Sequence, residues 1–348
     1  MPFPDLPPER IPGSPGHLND HQLIDQALDY IQQQAYRDDP DFPPLPDVPV
    51  LGQSGHVTAH DRILTVLEYV KDHPALGGPA AIANTPTGTY TANGHTYTYW
   101  LFPSNSTLQV TGAGLADVCL VGGGGGGGGA GPADHSHGGG GAGGQVVTVL
   151  GGYLPQGSLD VVVGAGGTGI TSSNDYPSKT SFGGVSRLLG WEAAGGGYGG
   201  TYRQAAQTGG NAGGGGTHDP QQTSAYGTPT GGNRGGKGTA WGSPTSSGGG
   251  GGGAGGLGGN GVGGDGGDGG DGITETLTGK AYTFGRGGGG GGSASGGSPH
   301  GGAGEASGAP GSEYGGGGGG AAHKGTADVS RPGGDGYHGV VIVRIKTN

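Results

Sequence analysis

Ala116-Asp117-Val118-Cys119-Leu120-Val121 runs without a break into the glycines 122–129. The first part reads as an apolar strand, with Cys119 as a small buried hydrophobe. The glycines that follow have no side chain to bury, and ordering each backbone costs roughly 1–2 kcal/mol. No hydrophobic core can hold them. The backbone itself remains. Extended left-handed helices of the polyproline-II type have three residues per turn and no internal hydrogen bonds. Without side chains they pack laterally, and every N–H and C=O finds its partner on a neighbour. A strand that feeds directly into such a helix predicts a β-structure clamping a bundle of glycine helices.

Further pure glycine runs lie at 248–253, 287–292 and 315–320. Gly263-Gly264-Asp265-Gly266-Gly267-Asp268-Gly269-Gly270-Asp271 carries the same three-residue period openly. In a three-residue turn its aspartates fall on one edge, about 9 Å apart, as an outer helix facing water requires. Trp191, Tyr198, Tyr202, Trp241 and Tyr314 are scattered through this region. A flexible tether has no use for such aromatics.

Outward from the glycines, strand patterns occur at 95–102, 107–111, 116–121, 145–150 and 158–163, with a last one at 339–346. They predict a small β-sandwich over 95–190 plus 337–348, with glycine-rich bundle and loops over 122–144 and 191–336. The remaining segments are a proline-rich docking arm at 1–15, a helical repeat at 16–72 and a linker at 73–94. The fold class is therefore mainly β with irregular glycine-rich structure and N-terminal α-helical segments.

The helical part is an internal repeat. Gly16-His17-Leu18-Asn19-Asp20-His21 through Ile31 aligns with Gly55-His56-Val57-Thr58-Ala59-His60 through Val70. Each copy reads as a helix with one narrow apolar seam, Ile24, Leu28 and Ile31 in the first and Ile63, Leu67 and Val70 in the second. Helices of about four turns are marginal alone in water. These six residues are expected to form a trimer interface, with pairing of the two helices inside one chain as the alternative.

Composition excludes several classes. The chain has 348 residues, of which 97 are glycine, and a net charge of -11. An acidic chain without Lys/Arg clusters is a poor nucleic-acid partner. A single cysteine permits neither an intrachain disulfide nor a four-cysteine zinc site. The N-terminus lacks the pattern of a signal peptide, and no stretch approaches the length of a membrane helix. Synthesis in the cytoplasm without membrane insertion is the expectation.

Five motifs appear in order: Trp100-Leu101-Phe102, Leu108-Gln109-Val110, Ala116 to Gly123, Leu159-Asp160-Val161-Val162-Val163-Gly164-Ala165-Gly166-Gly167, and Gly339-Val340-Val341-Ile342-Val343-Arg344. Together with the repeated Gly-His-x-x-x-His motif, they resemble the glycine-rich minor tail proteins of siphophages that infect actinobacteria. More distantly, the layout resembles the glycine-rich ectodomain of anaplastic-lymphoma-kinase-type receptors, where glycine helices are inserted into a jelly roll. The resemblance implies a jelly-roll-like sandwich with an inserted polyglycine-II-type helix bundle. It also implies a homotrimer at the tail tip of a virion. Its partners would be other tail-tip proteins and a bacterial cell-surface receptor, a glycan or envelope component.

Catalytic chemistry finds little support. Gly231 to Gly238 departs from a phosphate loop where a Ser or Thr is required, and Gly258 to Gly263 departs from a calcium-binding nonapeptide. No cofactor and no enzymatic activity are expected. His135 and His137 form a His-x-His pair that three copies on an axis could turn into six imidazoles around a metal, with two exposed histidines on a surface loop as the simpler reading. Tyr202, Tyr226 and Trp241 are the candidate receptor contacts, because aromatics in loops stack on sugars and fill pockets. Their alternative role is packing against the bundle. A tail-tip spacer without a receptor and an envelope-degrading enzyme are the competing functions.

Overall fold

Thr98, Trp100 and Phe102 fall on one face of β3 (His95–Phe102) and are buried, whereas Tyr97, Tyr99 and Leu101 on the other face are half-buried. This period-two pattern is what a strand covered more completely on one side demands. The computed structural model describes residues 78–131, 136–171, 181–201, 204–217, 232–240, 243–299, 306–323 and 330–347. Both helical repeats, with Ile24, Leu28, Ile31, Ile63, Leu67 and Val70, lie outside the described residues. Among the described residues there is no α-helix.

The chain is mainly β-sheet. β1 (Ala81–Ile82), β4 (Ser106–Gly112), β7 (Gly157–Val162), β8 (Ser186–Leu188) and β9 (Trp191–Ala193) follow one another across one sheet. The second sheet has the order β2 (Gly88–Ala92), β3, β12 (Val340–Lys346), β5 (Gly114–Val121) and β6 (Val146–Leu154). A separate hairpin is formed by β10 (Ile273–Glu275) and β11 (Tyr282–Phe284). The first strands arise within the stretch expected to be a linker, and β10–β11 arises within the glycine region. Asn93-Gly94 explains the early start: Ala92 pairs directly with His95, and both turn residues have positive φ, 51° and 77°. A two-residue hairpin turn of this kind favours Asn-Gly.

Two compact units divide the chain. In the smaller, Ala81 pairs with Gly112 and Ile82 with Val110, Leu115 N–H donates to Gly78 O, and Gly151 N–H donates to Asp117 Oδ1 at 2.8 Å. In the larger, Val341 to Lys346 of β12 pair antiparallel with Phe102 to Tyr97 of β3. Its core joins Cys119 and Val121 of β5 to Val340 and Ile342 of β12, covered by Leu277 and Phe284 from the β10–β11 hairpin.

The glycine segments belong to the larger unit, and their hydrogen bonds define their geometry. In rod 122–128, N–H groups donate in rotation to three neighbours. Gly122, Gly125 and Gly128 donate to Gln145, Ala142 and Gly139; Gly123 and Gly126 donate to Gly184 and Ser181; Gly124 and Gly127 donate to Tyr337 and Gly334. The carbonyls accept from three other segments, through Gly196 and Gly199, Gly167 and Ile170, and Gly318 and Ala321. Partners recur at every third residue, the repeat of a polyproline-II-type helix. Six segments surround the rod. Rod 248–253 is enclosed in the same way, donating to segments 285–291, 212–215 and 256–259 and accepting from 140–143, 236 and 267–270.

This lattice accounts for the two kinds of glycine sequence. In an interior rod every phase of the turn meets another backbone. A Cβ on Gly124, Gly125 or Gly126 would overlap the carbonyl oxygen of Gly316, Gly197 or Thr168. Only glycine permits that approach, so interior rods are nearly pure glycine, with Ala142 and Ala321 as buried exceptions. On segment 264–272 one phase is free. Asp265, Asp268 and Asp271 are exposed, while Gly264, Gly267 and Gly270 are buried.

Two predictions follow the packing. Gly126→Ala should destabilise the larger unit by about 1–3 kcal/mol through overpacking, whereas Gly190→Ala, where an added Cβ meets nothing within 4 Å, should change stability by less than about 0.5 kcal/mol. Denaturant unfolding of both variants checks this, and equal effects would contradict the lattice. The second concerns Cys119. Burial, reinforced by the nearby Glu275 charge and only partly opposed by a hydrogen bond with Thr148, pushes its thiol from 9.0 up to about 12. The folded pKa is raised, so the stability from the buried neutral thiol is complete below pH 9.0 and is lost as pH rises toward about 12. At pH near 8 a thiol reagent should label the native protein only as fast as it opens, and rapid labelling would contradict this burial.

Candidate functional site

The rods share one axis direction, three neighbours of rod 122–128 running antiparallel to it and three parallel, so their ends collect at two levels. Gly122, Gln145, Ala194, Gly285 and Gly315 lie at the level where the rods meet strands. Gly128, Gly139, Gly200, Gly214, Gly248, Gly291 and Ala321 lie toward the opposite level, linked through bonds such as Gly139 N–H to Gly200 O and Gly248 N–H to Gly291 O. From that second level the chain turns back through its loops. It is the candidate functional surface.

The structure fits these rod ends with side-chain hydroxyls. Where a rod runs out of backbone partners, a Ser or Thr supplies one. His137 N–H donates to Thr217 Oγ1 at 2.8 Å, and Thr217 N–H donates to His137 O at 2.9 Å. Gly131 N–H donates to Ser136 Oγ, and His323 N–H donates to Ser136 O. Ser247 N–H donates to Thr239 Oγ1 at 2.7 Å, while Thr239 N–H donates to Ser247 O. Ser136, His137, Thr217, Ser247 and His323 are all fully buried. This layer closes the end of the bundle among the described residues.

The expected site residues divide accordingly. Tyr202, Tyr226, Trp241 and His135 lie outside the described residues. His137 is described, and its burial corrects the expectation of an exposed loop histidine. It lies in the bridge to Ala322, so its backbone is held by the lattice and its ring is enclosed. Among the described residues no three His, Cys, Asp or Glu side chains form a group fit to hold a metal ion.

Residues that sequence reasoning passed over hold the opposite end. Ser186 Oγ donates to Val121 O at 2.6 Å and accepts from Gly164 N–H at 2.9 Å, so one buried hydroxyl ties β5 and β8 to the start of a rod. Asn211 Nδ2 donates to Gly143 O, and Asn233 Nδ2 donates to Gly253 O. Tyr314 packs against Phe284, Tyr337 and His338. Arg286 Nε lies 3.5 Å from Glu313 Oε1, and burial raises the Glu313 carboxyl despite the opposing Arg286 charge. On the β2–β3–β12 sheet, Arg344 sits over the Tyr97 ring at 4.7 Å and donates to Tyr90 Oη at 2.8 Å. The aromatic-then-glycine spacing of Tyr314-Gly315 was the available signal for the first of these clusters. The second depends on strand register, which no local motif displays.

No curated protein matches the chain in sequence. A family model described as a glycine-rich domain matches residues 102–346, from the last residue of β3 through β12. That span contains both the clamping strands and the hydrogen-bonded rods, and by it the chain belongs to the glycine-rich domain family.

Proposed function

We propose that this protein is a minor tail protein at the tip of a bacteriophage tail, a structural component that binds the host cell surface through the loops at one end of its glycine rods. The observation that carries the reading is the common level at which the rods end, near Gly128, Gly200, Gly248, Gly291 and Ala321. Loops mounted on a rigid scaffold are where recognition residues concentrate. A hydrogen-bonded base also lowers the entropy lost on binding, because less of the surface must be ordered at contact. The resemblance in motif order to actinobacteriophage tail proteins supplies the biological setting and the virion location.

In this reading the two five-stranded sheets form a small jelly-roll-like sandwich that clamps the glycine insertion. The support is that β5 and β12, which enter and leave that insertion, are neighbours in one sheet. The N-terminal repeat docks and trimerises the protein among other tail-tip proteins, with its two seams at the subunit interface. Binding rather than catalysis is the activity. Tyr202, Tyr226 and Trp241 provide aromatic contacts to a glycan or another envelope component. Three copies raise avidity, so weak contacts per copy suffice.

Fluorescently labelled full-length protein mixed with a panel of actinobacterial cells tests this. The wild-type chain should decorate a subset of strains, and Tyr202→Ala, Tyr226→Ala and Trp241→Ala combined should reduce binding by about tenfold or more, the equivalent of roughly 1.4 kcal/mol. Decoration unchanged by the triple substitution would remove those residues from the site. Absence of decoration on every strain would favour a tail-tip spacer.

A further inference from the structure

β2 is the outermost strand of its sheet and pairs with β3 alone. Gly88, Tyr90 and Ala92 stand opposite Tyr99, Tyr97 and His95 across the Asn93-Gly94 turn. Which way the backbones face follows from β12. Thr347 N–H donates to Thr96 O, so Thr96 turns its polar groups toward β12. His95 and Tyr97, on either side of it, turn theirs toward Ala92 and Tyr90 of β2. Thr89 and Thr91 alternate with those residues, and their N–H and C=O groups therefore point away from the sheet. Both residues are exposed, and no described group bonds to them on that outer side.

Edge strands in stable proteins are normally blunted by an internal charge, a proline or a bulge. Gly88-Thr89-Tyr90-Thr91-Ala92 has no charge, no proline and no residue of positive φ. The opposite margin of the sheet differs, because β6 carries Gly151 at φ 62°, a left-handed residue of the kind found in bulges. The open edge is also firmly held. Tyr90 stacks on Tyr97 with ring centres 5.2 Å apart, and its hydroxyl accepts from Arg344.

Charge beside this edge has one sign. β2, β3 and β12 contain no Asp or Glu, while His95, Arg344 and Lys346 lie on the same face as Tyr90. The β10–β11 hairpin adds a further cation. Its Gly279 stands against the Tyr90 ring, where an added Cβ would lie 2.5 Å from the nearest ring atom, and the next residue, Lys280, is exposed. Glu275, the only acid of that hairpin, is bonded to Thr148 Oγ1 at 2.7 Å.

We propose that the β2 edge is a docking site for an extended acidic segment of a partner polypeptide, which adds to the sheet as a further strand. Its backbone exchanges hydrogen bonds with the outward N–H and C=O groups of Thr89 and Thr91, the usual basis of strand addition. Its side chains alternate between the two faces. Those beside Tyr90 meet the cations and carry the carboxylates, and those beside Thr89 and Thr91 are β-branched or hydroxylated. Two paired residues offer little area, so binding through this edge alone is weak, and salt weakens it further. The site does not rest on receptor binding or on the tail-tip reading.

Amide hydrogen exchange in the full-length protein, followed by NMR, tests it. In the free protein the Thr89 and Thr91 amides should exchange quickly, while the Tyr90 amide, bonded to β3, exchanges slowly. An excess of a short capped peptide alternating threonine and glutamate should slow exchange at Thr89 and Thr91 about tenfold or more. The same peptide with lysine in place of glutamate should have little effect, and Lys280→Glu with Lys346→Glu should reverse that preference. Thr91→Pro removes an edge donor and should abolish the protection of Thr89. If thermal melting shows that Thr91→Pro does not fold, the glutamate peptide N-methylated on the residues that face the edge makes the same test and should give no protection. Three results would overturn the proposal: slow exchange at Thr89 and Thr91 in the free protein, no protection by the glutamate peptide, or equal protection by both peptides. Protection that survives Thr91→Pro or N-methylation would overturn it equally.

Discussion

Backbone approach without side chains is the constraint on which this structure depends. A rod bonded to six neighbours can exist only where no Cβ intervenes, and positions such as Gly124 and Gly125 place another segment's carbonyl oxygen where that carbon would stand. The energetic margin is narrow. Ordering a residue costs about 1–2 kcal/mol, and a backbone hydrogen bond returns about 0.5–1.5 kcal/mol net. A single pair of rods would gain too little to persist. Enclosure on all sides, with both polar groups of each residue bonded, brings the balance near zero, and the ordinary β-structure tips it.

The β-strands tip it through their order. β12, the last strand, lies between β3 and β5. The glycine insertion begins where β5 ends and returns just before β12, so its two ends are held side by side. Cys119, Val121, Val340 and Ile342 bury the apolar surface that the rods lack, and Leu277 and Phe284 reach back from a hairpin inside the insertion to join them. Polar side chains do the fitting at each junction. Ser186 joins strand to rod at one end, and Ser136, Thr217 and Thr239 replace missing lattice partners at the other.

The outer rods carry a second kind of information. An interior rod is glycine in nearly every position, with Ala142 and Ala321 as exceptions, whereas an edge rod has one phase open to solvent. Charge placed there is spaced by the turn itself, one residue per turn. Two edge rods flanking a third therefore come with matched heights without any further device, which is why Arg234 and Lys237 align with Asp268 and Asp265.

Much of this was written locally in the sequence. The strand from Ala116 to Val121 meeting Gly122, the closing run from Val340, and the spacing of Asp265, Asp268 and Asp271 each announce a period, two in the strands and three in the rods. A period is a local property, so a linear reading finds it. Asn93-Gly94 was equally local and would have placed the early hairpin. Which rod neighbours which is not local. Gly125 bonds to Ala142 and accepts from Gly318 because the whole insertion has folded, and one glycine gives no sign of which other glycine it will meet. The same holds for His137, whose burial follows from Thr217 and Ala322 closing around it. Side chains encode their own pairing through size, shape and charge. Glycine has none, so the sequence determined that rods would form, and only the tertiary structure decided their order.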